Sequence, residues 1–343
     1  MRTVKTATPA LARAINDRLA LDLLLEHGPL TAPQLRTLTG LSRPTVSDLI
    51  ERLMAGGLVE VTGESGEARR GPNARLYGLV ADRAHVAGVD VRRDAVNVTV
   101  ADITGRVVSE ASTTIGARAD LATLIAKVVG GAVGRRALDT VVVGAPGLVD
   151  PRDGELVSPN DVPGWRRGTM GSVRERLGVP VVLENEVNLA AIAELRTGAA
   201  AGSEDFVLLW LDDGVGAAVV LEGRLRRGAS GGAGEIGFLE VGGVAFCELL
   251  NAEFIRRFDR TELARRIAQG AFAFATLLDP GLVVLGGTTG HEGGDELAEL
   301  VADHLRALAP APTEVRASTV TGNAVLQGAV LTALDLARDR VFG

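Results

Sequence analysis

Two stretches of this chain are written on one plan. GVDVRRDAVNVTVADITG (88–105) and DFVLLWLDDGVGAAVVLEGRL (205–225) each read as a strand, a tight turn carrying aspartate, and a second strand. In the first, Val96, Val98 and Val100 alternate with Asn97, Thr99 and Ala101, the two-residue period of a strand. Taken over 86–112 and 205–225, one unit is used twice. With the strands and helices that follow each copy, it predicts two α/β lobes facing each other across a cleft. TVVVGAPG (140–147) reads as a buried strand ending in a glycine-containing turn, VPVVLENEVNLAAIAEL (179–195) as a strand running into a helix, and LVVLGG as a later strand and turn. A helix at 323–341 is expected to pack back on the first lobe, which otherwise spans 84–190. The second lobe, 191–322, is expected to supply the other cleft wall and a dimerisation surface.

The turn of the first unit raises a chemical question. Strand–turn–strand with Asp at the end of the first strand is a common way to hold the phosphates of ATP, and the turn normally uses glycine so that backbone N–H groups come close. Here Arg92 and Arg93 occupy it. A Rossmann dehydrogenase would need GxGxxG opening a helix after a strand, and none is placed that way.

The first eighty residues are organised differently. Residues 10–27 place Ile15, Leu19, Leu23 and Leu24 on one helical face, and Gly28-Pro29 stops that helix. Thr31 with Gln34 forms a capping box for a second helix, with Pro33 in its first turn, Leu35 and Leu38 facing inward and Gly40 ending it. Ser42 caps a third, with Pro44 in its first turn and Val46, Leu49, Ile50 and Leu53 as its buried stripe. That stripe leaves Arg43, Thr45, Ser47 and Asp48 outside, at the end of the helix that meets base edges when a helix-turn-helix enters the major groove. Strands at 58–61 and 76–79 enclose TGESGEARRGPNAR, so the segment 1–80 reads as a winged helix-turn-helix with Arg69, Arg70 and Arg75 in the wing, where a narrow minor groove attracts arginine. The expected DNA contacts are Ser42, Arg43, Pro44, Thr45, Ser47, Asp48, Arg69, Arg70 and Arg75.

Charge supports that division. Residues 1–80 carry ten Arg or Lys against eight Asp or Glu, while the chain as a whole has a net charge of −7. An acidic protein does not bind nucleic acid over its whole surface, and a head with net +2 binds weakly alone, because affinity grows with each phosphate neutralised. Two copies on a pseudo-palindromic operator remedy this, so a homodimer is expected, which the sequence leaves free to pair further into a tetramer. The single cysteine, Cys247, rules out an internal disulfide and a cysteine-rich zinc site. Neither an apolar leader nor an 18-residue apolar run is present, so a cytoplasmic protein without membrane contact is expected.

A winged helix-turn-helix followed by this double lobe resembles the ROK family (repressors, open reading frames, kinases), specifically its repressor branch, and the resemblance covers nearly the whole chain. LSRPTVSDLIERLMAGGLV, SPNDVPGW, ENEVNLAAIAE and GASGGAGEIGFLEV carry it. It implies an actin-like, sugar-kinase-like fold for the lobes and an effector site built from Asn160, Asn185, Glu186, Glu235, Phe238 and Glu248. Carboxylates and amides suit that task, since they accept from and donate to vicinal hydroxyls in fixed geometry.

The departures from the family decide the expected function. Its kinases read Asp-x-Gly-Gly-Thr in the first turn, where this chain has Asp90-Val91-Arg92-Arg93-Asp94; their second turn is Gly-Thr-Gly, where Asp213-Gly214-Val215 stands. The family's base is Asp, and here it is Glu186, one methylene longer. A sugar- and zinc-contacting histidine is replaced by Phe238, and the zinc loop has shrunk to GGVAFCELL. Neither metal nor cofactor is expected. The leading expectation is a DNA-binding transcriptional regulator, a repressor, controlled by a sugar-like or non-standard small effector between the lobes, and not an enzyme. The alternatives are an ATP-dependent sugar kinase with an appended DNA-binding domain, and a ligand-independent dimeric DNA-binding protein.

Overall fold

The computed structural model describes residues 8–65, 74–157, 161–212, 214–250, 258–309 and 311–343. The N-terminal body contains α1 (Pro9–His27), β1 (Leu30–Thr31), α2 (Ala32–Thr39), α3 (Arg43–Ala55), β2 (Val59–Glu64) and β3 (Arg75–Leu79), with the strands ordered β1-β3-β2. Its boundaries follow from capping. The Thr31 N–H donates to Gln34 Oε1 at 2.8 Å while the Gln34 N–H donates to Thr31 Oγ1 at 3.4 Å, and the Thr45 N–H donates to Ser42 Oγ at 3.4 Å. Gly40 stops α2 in the left-handed conformation that glycine adopts without strain. Val46, Leu49, Ile50 and Leu53 are buried as the spacing requires.

Two expectations for this body need correction. Helix α1 buries Ala20, Leu21 and Leu24, whereas Ile15 is 58% exposed and Leu19 40% exposed. Leu38 of α2 is exposed too. The spacing of leucines marks a stripe on α1, but contact with α2, α3 and β3 selects a different face, and its first two turns extend beyond that contact.

The first lobe is built on β4 (His85–Val91), β5 (Ala95–Asp102), β6 (Val107–Thr114), β7 (Leu138–Ala145) and β8 (Val181–Asn185), with α4 (Leu121–Val133) and α5 (Thr169–Leu177) in its crossovers. Next, α6 (Glu186–Thr197) leads into the second lobe. That lobe has β9 (Phe206–Leu211), β10 (Val215–Leu221), β11 (Arg224–Arg226), a small hairpin β12 (Glu240–Val241) and β13 (Val244–Ala245), α7 (Phe246–Leu249), α8 (Arg260–Leu278), β14 (Leu282–Gly286), α9 (Gly287–Leu308) and β15 (Glu314–Ala317). Helix α10 (Ala324–Val341) closes the chain.

The two five-stranded sheets share one topology. The orders are β6-β5-β4-β7-β8 and β11-β10-β9-β14-β15, each with three antiparallel strands followed by parallel additions. This is the duplicated unit of the sequence, extended on one side by two crossover strands. Helices α4 and α5 cover the outer face of the first sheet, and α8 and α9 that of the second. Between the inner faces lies a pair of crossed helices, α10 against the first sheet and α6 against the second. Their approach is close: a Cβ on Gly328 of α10 would stand 1.8 Å from the Leu189 carbonyl oxygen of α6. The buried cluster at this seam continues through Ala101, Ile103, Ala337 and Phe342 into Ala20, Leu21 and Leu24 of α1, so the N-terminal body shares a core with the first lobe.

Candidate functional site

The cleft between the lobes holds a cavity of about 220 Å³. From the first lobe it is lined by Asp90, Arg92 and Arg93 after β4, Pro146 and Gly147 after β7, and Asn185 and Glu186 at the β8–α6 junction. Trp210, Asp212, Gly214, Gly216 and Glu235 face them from the second. Both expected turns thus open into one space, as strand ends in related α/β folds do.

Asp90 is 2% exposed, and its Oδ2 accepts from Arg92 Nε at 2.9 Å and from Asn323 Nδ2 at 2.7 Å. Arg93 reaches Asp161, Nη2 to Oδ2 3.0 Å. The Arg92 N–H closes the hairpin by donating to the Ala95 carbonyl at 2.8 Å. In the opposite turn, Asp212 Oδ1 accepts from the Thr288 hydroxyl at 2.8 Å, and the Asp212 N–H donates to the Gly214 carbonyl at 3.0 Å. Guanidinium and carboxylate groups therefore stand at the first turn and a carboxylate at the second, and an amide in each is spent on closing the turn itself.

Asn185 does two jobs. Its Oδ1 caps α6 by accepting from the N–H groups of Val187 at 2.8 Å and Asn188 at 3.2 Å. Its Nδ2 donates to the Gly147 carbonyl at 3.1 Å and to Glu186 Oε2 at 2.8 Å, which fixes the Glu186 carboxyl at the cleft floor. Loss of water pushes that carboxyl up to about 8, and the Glu235 and Asp90 carboxylates add to the shift against the pull of a backbone hydrogen bond and Arg92. Partial desolvation pushes Glu235 up as well. At neutral pH the floor consequently offers a protonated carboxyl, both donor and acceptor, beside an amide. Behind it, the buried Glu184 accepts from Asn188 Nδ2 at 2.9 Å and from Arg227 Nε of the second lobe at 2.6 Å, an ion pair that crosses between the lobes.

Of the residues expected at an effector, Asn185, Glu186 and Glu235 line the cavity. Phe238 does not: it is 81% exposed on a short 3₁₀ turn, because Ile236 takes the inward position there. Glu248, exposed on α7, also stands outside the lining. Asn160 lies outside the described residues, as does Asp213. Asn323 and Trp210 were not singled out in the sequence. Asn323 is 233 positions from Asp90, and its only local signal is the cap it provides for α10, donated to by the Leu326 N–H at 2.9 Å. Among the described residues no group of three or more His, Cys, Asp or Glu could hold a metal ion, and Cys247 is exposed, so the remnant of the zinc loop does not fit zinc.

On the N-terminal body, Ser42, Arg43, Pro44, Ser47 and Asp48 are exposed at the start of α3, with Thr45 half-buried and hydrogen-bonded to Ser42. Arg75 is exposed at the start of β3, while Arg69 and Arg70 lie outside the described residues. Two ion pairs anchor the body through α1: Asp17 to Arg52 of α3 at 2.6 Å, and Arg18 to Asp339 of α10 at 3.0 Å, with the Arg18 guanidinium over the Phe342 ring.

Residues 86–253 match the ROK family and residues 15–71 the MarR family. The lobe region is thus similar to the ROK family and the N-terminal body to the MarR family. The chain is 26% identical over 246 residues to the xylose repressor of Bacillus subtilis (strain 168), a match covering 68% of this chain but only 62% of that protein. Among solved structures it is similar to a ROK family transcriptional regulator described as a homologue of the E. coli MLC protein, with a TM-score of 0.76 at 16% identity over 96% of this chain and 99% of the other. A ROK hexokinase from Thermus thermophilus matches with a TM-score of 0.62 and 26% identity, over 74% of this chain and 99% of its own. The first of these structures matches almost the full length; the hexokinase leaves about a quarter of this chain unmatched. No helix among the described residues is long and apolar enough to cross a membrane.

Proposed function

We propose that this protein is a cytoplasmic DNA-binding repressor whose reading heads are governed by a small polyhydroxylated effector in the lobe cleft, and that it does not transfer phosphate. The observation that carries this reading is the pairing of Asp90 with Arg92 and Asn323 at the cleft floor. In a phosphate-binding turn that space belongs to backbone amides; here two side chains fill it, and the Arg92 amide is committed to Ala95. Asp212 on the opposite turn repels a polyphosphate further. Asn185, Glu186 and Glu235 remain suited to sugar hydroxyls.

Helix α10 supports the coupling of cleft to DNA. Its N-cap residue Asn323 holds Asp90, and its far end holds α1 through Asp339 and Phe342. Eighteen residues of helix span about 27 Å, so a shift of the cleft floor is delivered rigidly to the body that carries α3. An effector acts by preferring one lobe arrangement over the other. The test has two arms. A thermal-shift screen of neutral sugars, amino sugars and sugar acids is expected to find a ligand that raises Tm, with the shift lost in Asn185→Ala. A gel shift on the DNA upstream of the protein's own gene is expected to lose about 1–3 kcal/mol in Arg43→Ala. Sugar-dependent ATP turnover that vanishes in Glu186→Gln would establish the kinase alternative instead.

A further inference from the structure

Glu184 stands near the end of β8, one residue before Asn185, and is 5% exposed. Its two carboxylate oxygens serve different lobes. Oε1 accepts from the Asn185 N–H at 3.0 Å and from Asn188 Nδ2 at 2.9 Å, both at the start of α6. Oε2 accepts from Arg227 Nε at 2.6 Å, across the lobe boundary. Arg227 opens the loop that ends at Glu235 on the far cleft wall. The Ala233 N–H closes that loop by donating to the Arg227 carbonyl at 3.2 Å, and the loop lies so near the first lobe that a Cβ on Gly231 would stand 2.0 Å from the Val149 carbonyl oxygen. The clasp can still open. Among the described residues the Arg227 guanidinium donates through Nε alone, its side chain is 46% exposed, and a cavity of about 330 Å³ lies beside it, lined by Val149, Asp150 and Val182 of the first lobe and Gly231 of the second.

We infer that Glu184 is a positioning residue that ties lobe closure to the setting of the cleft floor: with Arg227 in place its carboxylate holds Asn185 and the start of α6 as they stand, and with Arg227 withdrawn it lets both go. The step is electrostatic. Without the guanidinium, Oε2 is a buried anionic oxygen with no partner, which must draw in water or turn toward it. Turning moves Oε1, and with it the Asn185 N–H and the bond from Asn185 Nδ2 that fixes Glu186. The latched loop presents Glu235 to the same cavity as Asn185 and Glu186, so this arrangement sets both walls for one ligand. The coupling rests on the effector reading for its purpose, and its test uses no effector.

Hydrogen exchange, read by mass spectrometry on the full chain, tests it. In Arg227→Ala the amides of 228–235 are expected to exchange about tenfold faster than in the parent protein, from loss of one charge-assisted bond. The amides of Asn185, Val187 and Asn188, held by Glu184 and Asn185, are expected to accelerate with them. Glu184→Gln keeps a carbonyl oxygen for Asn185 and Asn188 but turns an NH₂ toward Arg227; it is expected to act alike, and the double variant no more strongly than either. Arg227→Lys is expected to restore most of the protection, and α4 to exchange at the parent rate throughout. Acceleration confined to 228–235 would make the pair a staple between lobes and overturn the inference. Additive effects in the double variant, or acceleration that reaches α4 equally, would overturn it too. Coupled exchange in a protein whose Tm no sugar of the screen raises would instead overturn the effector reading and leave the coupling standing.

Discussion

The two lobes share a strand order but differ in what they are fastened to. The first sheet packs on α10, and through α10 it shares a core with the N-terminal body. The second packs on α6, and meets the first lobe across the α6–α10 crossing, the cleft and the Arg227–Glu184 pair. The turns diverge in the same sense. Asp90 is buried and held by two donors, one from a segment more than two hundred positions away, whereas among the described residues the Asp212 carboxylate accepts from the Thr288 hydroxyl alone. A duplicated frame has become one lobe built onto the N-terminal body and another joined to it through the α6–α10 contact and the Arg227–Glu184 pair. That asymmetry suits the sensor proposed above better than it suits a symmetric phosphate clamp.

The seam should dominate stability. Gly328→Ala drives a methyl into the Leu189 carbonyl, and neither helix can retreat without leaving its sheet. A loss of about 3 kcal/mol or more is expected in urea unfolding. Gly130→Ala, within α4 on the outer layer with nothing within 4 Å of the new Cβ, should instead gain up to about 1 kcal/mol. Comparable effects at both sites would mean the crossing is not the tight joint described. The two turns come next. Asp90→Ala strands Asn323 and Arg92 and is expected to cost about 2–3 kcal/mol, whereas Asp212→Ala should cost under about 1 kcal/mol. Equal losses would remove the distinction between an anchored and an unanchored lobe.

How much of this was legible in the sequence depends on whether the information was local. Strand alternation, the Thr31–Gln34 box and the stripe of α3 are written within a few residues of themselves, and they appear in the structure as they read. The inward face of α1 was not legible, because two faces of that helix carry leucine and only contact with α2 and β3 selects between them. Within the cleft, segments matching a family pattern placed Asn185, Glu186 and Glu235 at the cavity. The same reasoning failed for Phe238, since a motif fixes sequence position but not which of two adjacent side chains, Ile236 or Phe238, the turn directs inward. Asn323 belongs to no motif. Its role arises from the return of α10 across the first sheet, which no local pattern encodes.

The last expected effect concerns the protonation of the cleft floor, and it vanishes at low pH. Glu186 has its folded-state carboxyl raised to about 8 from an ordinary value near 4.5. The unfolded chain therefore releases this proton at lower pH than the folded one. Below pH 4.5 both states hold it and the site costs nothing. Between about 4.5 and 8 only the unfolded carboxyl ionises freely, so stability falls as pH rises, and above about 8 the penalty levels off. Glu186→Gln is isosteric and carries no titrating proton. Its advantage over the parent protein should be absent near pH 4.5, grow through neutrality, and reach on the order of 2 kcal/mol by pH 8.5, given the water that still enters the cleft. Paired thermal melts across that range read the difference directly. An advantage that did not change with pH would mean the carboxyl is solvated, and the floor would then present an anion rather than a neutral donor to whatever binds there.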